Sequence, residues 1–141
     1  MTESGKLLKN RIWRWGPVAL WMGLIFFLSA QSKLPELPGL ADLDYGDKIQ
    51  HAVAYAILAC LIWRALGSSL ARLWQTAVVV AIAMVYGLSD ELHQLYVPGR
   101  SFDLLDLGAD ALGAAIAAVV LTIRIGGDEI GARTTRLRSK G

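Results

Sequence analysis

Three stretches of this chain carry ionisable side chains at helical spacing. The first holds Asp47, Lys48, His51 and Tyr55; the second Asp90, Glu91, Gln94 and Arg100; the third Asp103, Asp106 and Asp110. Residues three or four apart share a helix face. Asp47, His51 and Tyr55 therefore stack on one side of their helix with Lys48 one step round, Asp90 aligns with Gln94, and the three aspartates form a stripe. A lysine and an arginine grip an anionic group, a histidine exchanges protons near neutral pH, and carboxylates orient that histidine or hold a divalent cation. On this basis His51, Glu91 and Asp106 are the candidate catalytic residues. Lys48, Tyr55, Asp90, Gln94, Arg100 and Asp110 are the candidate substrate-binding residues. The acidic surplus repels a bare phosphate, so a bridging Mg²⁺ or Ca²⁺ is the cofactor the pattern suggests; no tight ligand motif assigns it to particular residues.

Plainer roles compete at several positions. Arg100 follows a Pro-Gly turn and could form a salt bridge to Glu91 or Asp103 instead of binding an anion. His51 suits a hydrogen-bonded interior place as well as a functional one, and Tyr55 and Tyr86 suit aromatic packing. His93 points off the stripe and reads as interfacial. Lys33, Glu36, Asp42 and Asp44 read as solvated loop charges. Cys60 lies in an apolar run and Ser89 lacks a Gly-x-Ser-x-Gly setting, so nucleophile catalysis has no support. No phosphate-cradling glycine loop or zinc spacing is present.

The elements that must position these groups are membrane helices. Of the 141 residues 55% are hydrophobic and only 18% charged, against a usual ~25%. A hydrocarbon core ~30 Å thick needs ~20 mostly apolar residues as helix. Four segments qualify, at about 15–30, 49–66, 73–92 and 104–125. The stretches VVVAIAMV and AAIAAVVL are apolar all round, unlike a water-facing helix. The chain is thus expected to be an all-α integral membrane bundle of four transmembrane helices. A basic tail (1–14) precedes the membrane domain (15–125) and a polar, frayed tail (126–141) follows it. Trp13, Trp15 and Trp21 sit as interfacial anchors near the first helix start. That helix resembles a signal peptide, but Leu28 occupies a place where cleavage needs a small residue, so it is expected to be retained.

Orientation follows from the cations. The two tails and the second connection hold eleven lysines and arginines against three acids, Glu3, Asp128 and Glu129. The first and third connections hold Lys33, Lys48 and Arg100 against nine acids. By the positive-inside rule both termini are cytoplasmic and the chemistry-bearing end faces outward. In the first connection Leu34, Leu37, Leu40 and Leu43 could lie at the interface. Val97-Pro98-Gly99-Arg100 should break the third helix as a turn. Gly113 and Ala117 continue the acidic stripe as a seam that another helix can approach closely. The stripes then descend to similar depths and form one polar cleft between the second, third and fourth helices. Charges buried in lipid cost ~2.5–3.5 kcal/mol each even on a lenient scale, so the stripe should face the bundle interior.

The ordered motifs D-K-x-x-H-x-x-x-Y at 47–55, D-E-x-x-Q-x-x-x-P-G-R at 90–100 and D-x-x-x-D-x-x-G at 106–113 resemble the VanZ-like family of small bacterial membrane proteins, named for a member linked to resistance to the glycopeptide teicoplanin. The resemblance covers about 17–125. It maps the family's pattern onto Lys48, His51, Tyr55, Glu91, Gln94, Gly99, Arg100, Asp106 and Gly113. It implies a place in the bacterial cytoplasmic membrane and a link to the cell envelope, including glycopeptide resistance. Where the family usually shows Asn this chain has Asp110, an acid that needs either a proton or a cationic partner.

Three functions fit such a cleft. The first is binding or turnover of a lipid-linked, phosphate-bearing envelope molecule. The second is a non-catalytic scaffold whose cleft engages a membrane lipid or a partner helix. The third is a small transporter, which would need a homo-oligomer because the polar groups reach only one face. Hydropathy disfavours a soluble nuclease, and the basic residues gather at the chain ends, which excludes nucleic acid as the partner.

Overall fold

The computed structural model describes residues 3–32, 45–67 and 70–138, with backbone alone at 6–8 and 126–138. Its elements are α1 (Glu3–Ser29), α2 (Gly46–Leu66), α3 (Arg72–Gln94) and α4 (Leu104–Arg138), with no strand among the described residues. All four are long and apolar enough to cross a membrane, α4 through Leu104–Ile125. The expected interfacial leucines 34, 37, 40 and 43 and the loop charges Lys33, Glu36, Asp42 and Asp44 lie outside the described residues.

Two helices run further than their apolar segments. α1 begins at Glu3, so the basic stretch from 3 to 14 is helical and continuous with the membrane segment. The backbone after Gly126, expected to fray, is helical to Arg138. That stretch contains alanine, arginine and glutamate, all good helix formers.

α2 and α4 make the closest contact. Little hydrophobic force draws helices together in lipid, so small residues that let backbones approach carry much of the packing. Ala59, Ala114 and Ala118 are fully buried. A Cβ added to Gly113 would collide with the backbone of Ala52, so only glycine permits this crossing. Leu58, Ile62, Val79 and Ala83 complete a core with no exposed surface, and Thr76 and Thr122 share a 2.6 Å hydrogen bond between α3 and α4.

α1 packs on α2 and α3 and not on α4. Pro17 lies inside α1 and lacks the N–H that would bond the carbonyl of Trp13 four residues earlier. Arg64 of α2 fills that role, its Nη2 donating to Trp13 O at 3.0 Å. Trp13 and Trp15 are exposed, as interfacial anchors would be. Trp21 departs from that expectation: its Nε1 donates to Ala54 O of α2 at 2.9 Å, so it fastens α1 to the bundle.

Candidate functional site

At the end of the bundle where α2, α3 and α4 meet, the three sequence motifs converge. The turn after α3 delivers the second to the third. Val97 O accepts the N–H of Arg100 at 3.1 Å and Gly99 takes φ 80°, the left-handed value that the third residue of a type II turn requires. Asp103 then caps α4, its Oδ1 accepting the N–H of Leu105 at 2.8 Å. The N–H of Asp103 donates to Glu91 Oε2 at 2.8 Å, which locks the turn onto α3.

Lys48 is the hub of the mouth. Its Nζ lies 2.9 Å from Asp47, 2.7 Å from Asp103 and 2.7 Å from Asp106. It donates hydrogen bonds to Asp47 and Asp103 and forms an ion pair with Asp106. Asp103 lies just before the membrane segment of α4, and the hydrogen bond from Lys48, aided by the N–H of Leu105, holds its carboxyl below the usual carboxylate range.

One turn deeper, His51 Nδ1 lies 2.9 Å from Asp110 Oδ1, and His51 Nε2 lies 3.9 Å from Asp106 Oδ2. A carboxylate partner places the ring proton on Nδ1 and leaves the Nε2 lone pair facing inward. Asp110 is 1% exposed, and its Oδ1 is met by His51 Nδ1. Glu91 is completely buried and its Oε1 has no hydrogen-bond partner. Ligand atoms of His51, Glu91 and Asp106 lie within 4.8 Å of one another. Below them Tyr55 is buried, its hydroxyl also without a partner.

Gly87, which carries no charge and stood in no motif, admits α3 to this cluster. A Cβ there would stand 3.0 Å from Asp110 Oδ2 and 3.2 Å from the Tyr55 ring. A lone glycine inside an otherwise continuous helical pattern was the available signal.

The remaining candidates face another space. Asp90, Gln94, Arg100 and His51 stand at one end of a groove of about 360 Å³ between α1 and α2. Apart from Ser29, Gln50 and Tyr55, the rest of its wall is apolar, including Leu24, Ile25 and Leu28 of α1 and Val53 and Ile57 of α2. Ser29 joins the polar end, accepting a 3.0 Å hydrogen bond from Gln94 Nε2. Arg100 pairs with neither Glu91 nor Asp103, and forms no ion pair among the described residues. Its Nε is buried without a hydrogen-bond partner. Sequence spacing could not show this groove, because its α1 wall carries only apolar residues and one serine. His93 lies apart, stacked on Phe26 at 4.3 Å, and Tyr86 donates its hydroxyl to Met22 O.

A family model, VanZ/LLP1, matches residues 15–125. The chain belongs to the VanZ/LLP1 family. The match spans all three motifs and all four apolar segments, so the polar cluster and the groove both lie within the VanZ/LLP1 region. No curated protein and no solved structure matches the chain.

Proposed function

We propose that this VanZ/LLP1 protein lies in the bacterial cytoplasmic membrane with both termini inside, and binds a lipid-linked, phosphate-bearing envelope molecule from the outer leaflet. The observation that carries this reading is the groove: a largely apolar trough between two membrane helices that ends on an arginine with no carboxylate partner among the described residues. A hydrocarbon tail lies along Leu24, Val53 and Ile57, and its phosphate meets the Arg100 guanidinium, whose planar fork suits a phosphate. Gln94 and Asp90 serve polar groups of the head. Lys48, spent on three aspartates, holds the mouth together and contributes less to the anion than Arg100. Turnover, if the bound molecule reacts, falls to His51, Glu91 and Asp106 at the same end. Holding such a molecule is the route by which the protein contributes to glycopeptide resistance.

The transporter reading loses ground to the packing. Between this end and the opposite one lie Tyr55, Leu58, Ala59, Ile62, Val79 and Ala83, all 0–1% exposed, which leaves a single chain no polar route across.

A photoactivatable single-chain lipid phosphate with a diazirine in its tail tests the proposal in nanodiscs. Crosslinks should concentrate at Leu24, Val53 and Ile57, and a neutral analogue should label these at least tenfold less. Arg100→Ala should remove that preference, a loss of about 1.4 kcal/mol or more. Equal labelling of all lipid-facing helices rejects the reading. Capture of a partner helix along the groove supports the scaffold instead.

A further inference from the structure

The atoms that remain free in the cluster point to a ligand. His51 Nδ1 is hydrogen-bonded to Asp110, Glu91 Oε2 accepts the N–H of Asp103, and Asp106 Oδ1 is ion-paired with Lys48 at 2.7 Å. Each residue is thereby held by one atom with another atom to spare. The spare atoms are His51 Nε2, Glu91 Oε1 and Asp106 Oδ2. Glu91 is 0% exposed with its Oε1 unpartnered, and an unmet buried carboxylate oxygen is costly unless something compensates it.

The arrangement around His51 is that of a metal-binding histidine. Such a residue commonly donates its second ring N–H to a carboxylate, which fixes the tautomer and raises the basicity of the ligating nitrogen. Asp110 supplies that carboxylate here. Electrostatics agrees: Glu91, Asp106 and Asp110 are set against one histidine and one lysine, and Asp47 and Asp103 already share that lysine.

We propose that His51, Glu91 and Asp106 form a binding site for one first-row divalent transition-metal ion, with Asp110 orienting His51. One imidazole and two carboxylates suit Mn²⁺ or Zn²⁺ better than Mg²⁺ or Ca²⁺, which favour oxygen ligands alone. One ligand atom from each of the three residues already lies within 4.8 Å of the others; bonds of ~2.0–2.2 Å set such atoms about 3–3.5 Å apart, so binding draws the side chains inward by about 1 Å. Three protein ligands leave open positions on the ion. His51 also lines the groove, so the ion stands at its polar end, where it can polarise a phosphoryl oxygen; that last step alone rests on the lipid-phosphate reading.

The test uses metal alone. Chelator-stripped full-length protein in nanodiscs is titrated with Mn²⁺, and the free aqueous ion is followed by electron paramagnetic resonance. One saturable site per chain is expected, displaced by Zn²⁺. Bound Mn²⁺ should show nitrogen coupling, which persists in His93→Gln and disappears in His51→Gln; these are the chain's two histidines. Glu91→Gln and Asp106→Asn should each weaken binding at least tenfold. Asp106 is near the mouth, so its variant decides the matter if Glu91→Gln does not fold. No saturable site in the wild type, or a bound ion without nitrogen coupling, overturns the proposal. Absence of a metal site in the wild type, with groove labelling present, rejects this inference and leaves the lipid reading standing.

Discussion

The Lys48 ammonium is the residue on which the others depend. Replacing it with methionine leaves Asp103 and the nearly buried Asp106 facing each other without a counter-charge, and losing charge-assisted bonds of this part-exposed kind costs about 1–3 kcal/mol. Lys48→Met should therefore lower the thermal unfolding midpoint in detergent well beyond any single surface change. Asp103 gives a pH signature. Its carboxyl titrates lower when folded than when unfolded, so its pairing stabilises the fold above the unfolded value of about 3.9 and fades as pH falls through the lower folded value. The stability gap between wild type and Asp103→Asn should hold from pH 6 to 8 and close below about pH 4, read from melting curves across that range. Asp110→Asn keeps a hydrogen-bond acceptor for His51. It should unfold within about 1 kcal/mol of wild type while losing at least tenfold in Mn²⁺ affinity. Helical spacing placed His51 and the stripe of Asp106 and Asp110 at similar depths beforehand, but did not single out Asp110 as the partner of His51. It could not show that Lys48 would bridge Asp103 and Asp106, because that depends on how closely α2 and α4 cross.

That approach is set at the level of the helices. The four apolar segments were readable in the sequence because each is long enough for a bilayer, and the third and fourth contain stretches that are apolar all round. Their ends were less readable: nothing in hydropathy marks helix continuing through the basic residues before α1's apolar core, or through the polar residues after Gly126. The seam at Gly113 was foreseen as a close approach, and Ala52 is what it approaches. Gly113→Val should destabilise by about 1–3 kcal/mol or more, since the backbone carbonyl in its way cannot rotate aside as a side chain can; thermal unfolding and size exclusion check this. Gly87, Trp21 and the Arg64 bond to Trp13 escaped the sequence reading. Each works through a neighbouring helix that spacing along one helix does not specify.

For the molecule as a whole, one end is polar and acidic between α2, α3 and α4, the middle is solidly packed, and α1 stands to one side with the groove behind it. The uneven placement of lysine and arginine sets the expected orientation, with the polar end outside. It is checked with single cysteines in a Cys60→Ser background. A cysteine at Tyr96, 86% exposed, should react with an impermeant thiol reagent on intact spheroplasts. A cysteine at Ser4 should react only after lysis. The reverse pattern would invert the topology and remove the outer leaflet from the functional reading.

The pairing of α2 with α4 also bears on how the protein is made. α2 leaves the ribosome carrying Asp47, Lys48 and His51, while Asp103, Asp106 and Asp110, which meet Lys48 and His51 in the folded bundle, are synthesised more than fifty residues later. Until then α2 is a poor candidate for release from the insertion machinery into lipid, since each charge alone resists transfer. Maturation should therefore wait on the last helix. A chain truncated before residue 104 should linger at the translocon or be degraded, which pulse-chase labelling would reveal as a shortened half-life.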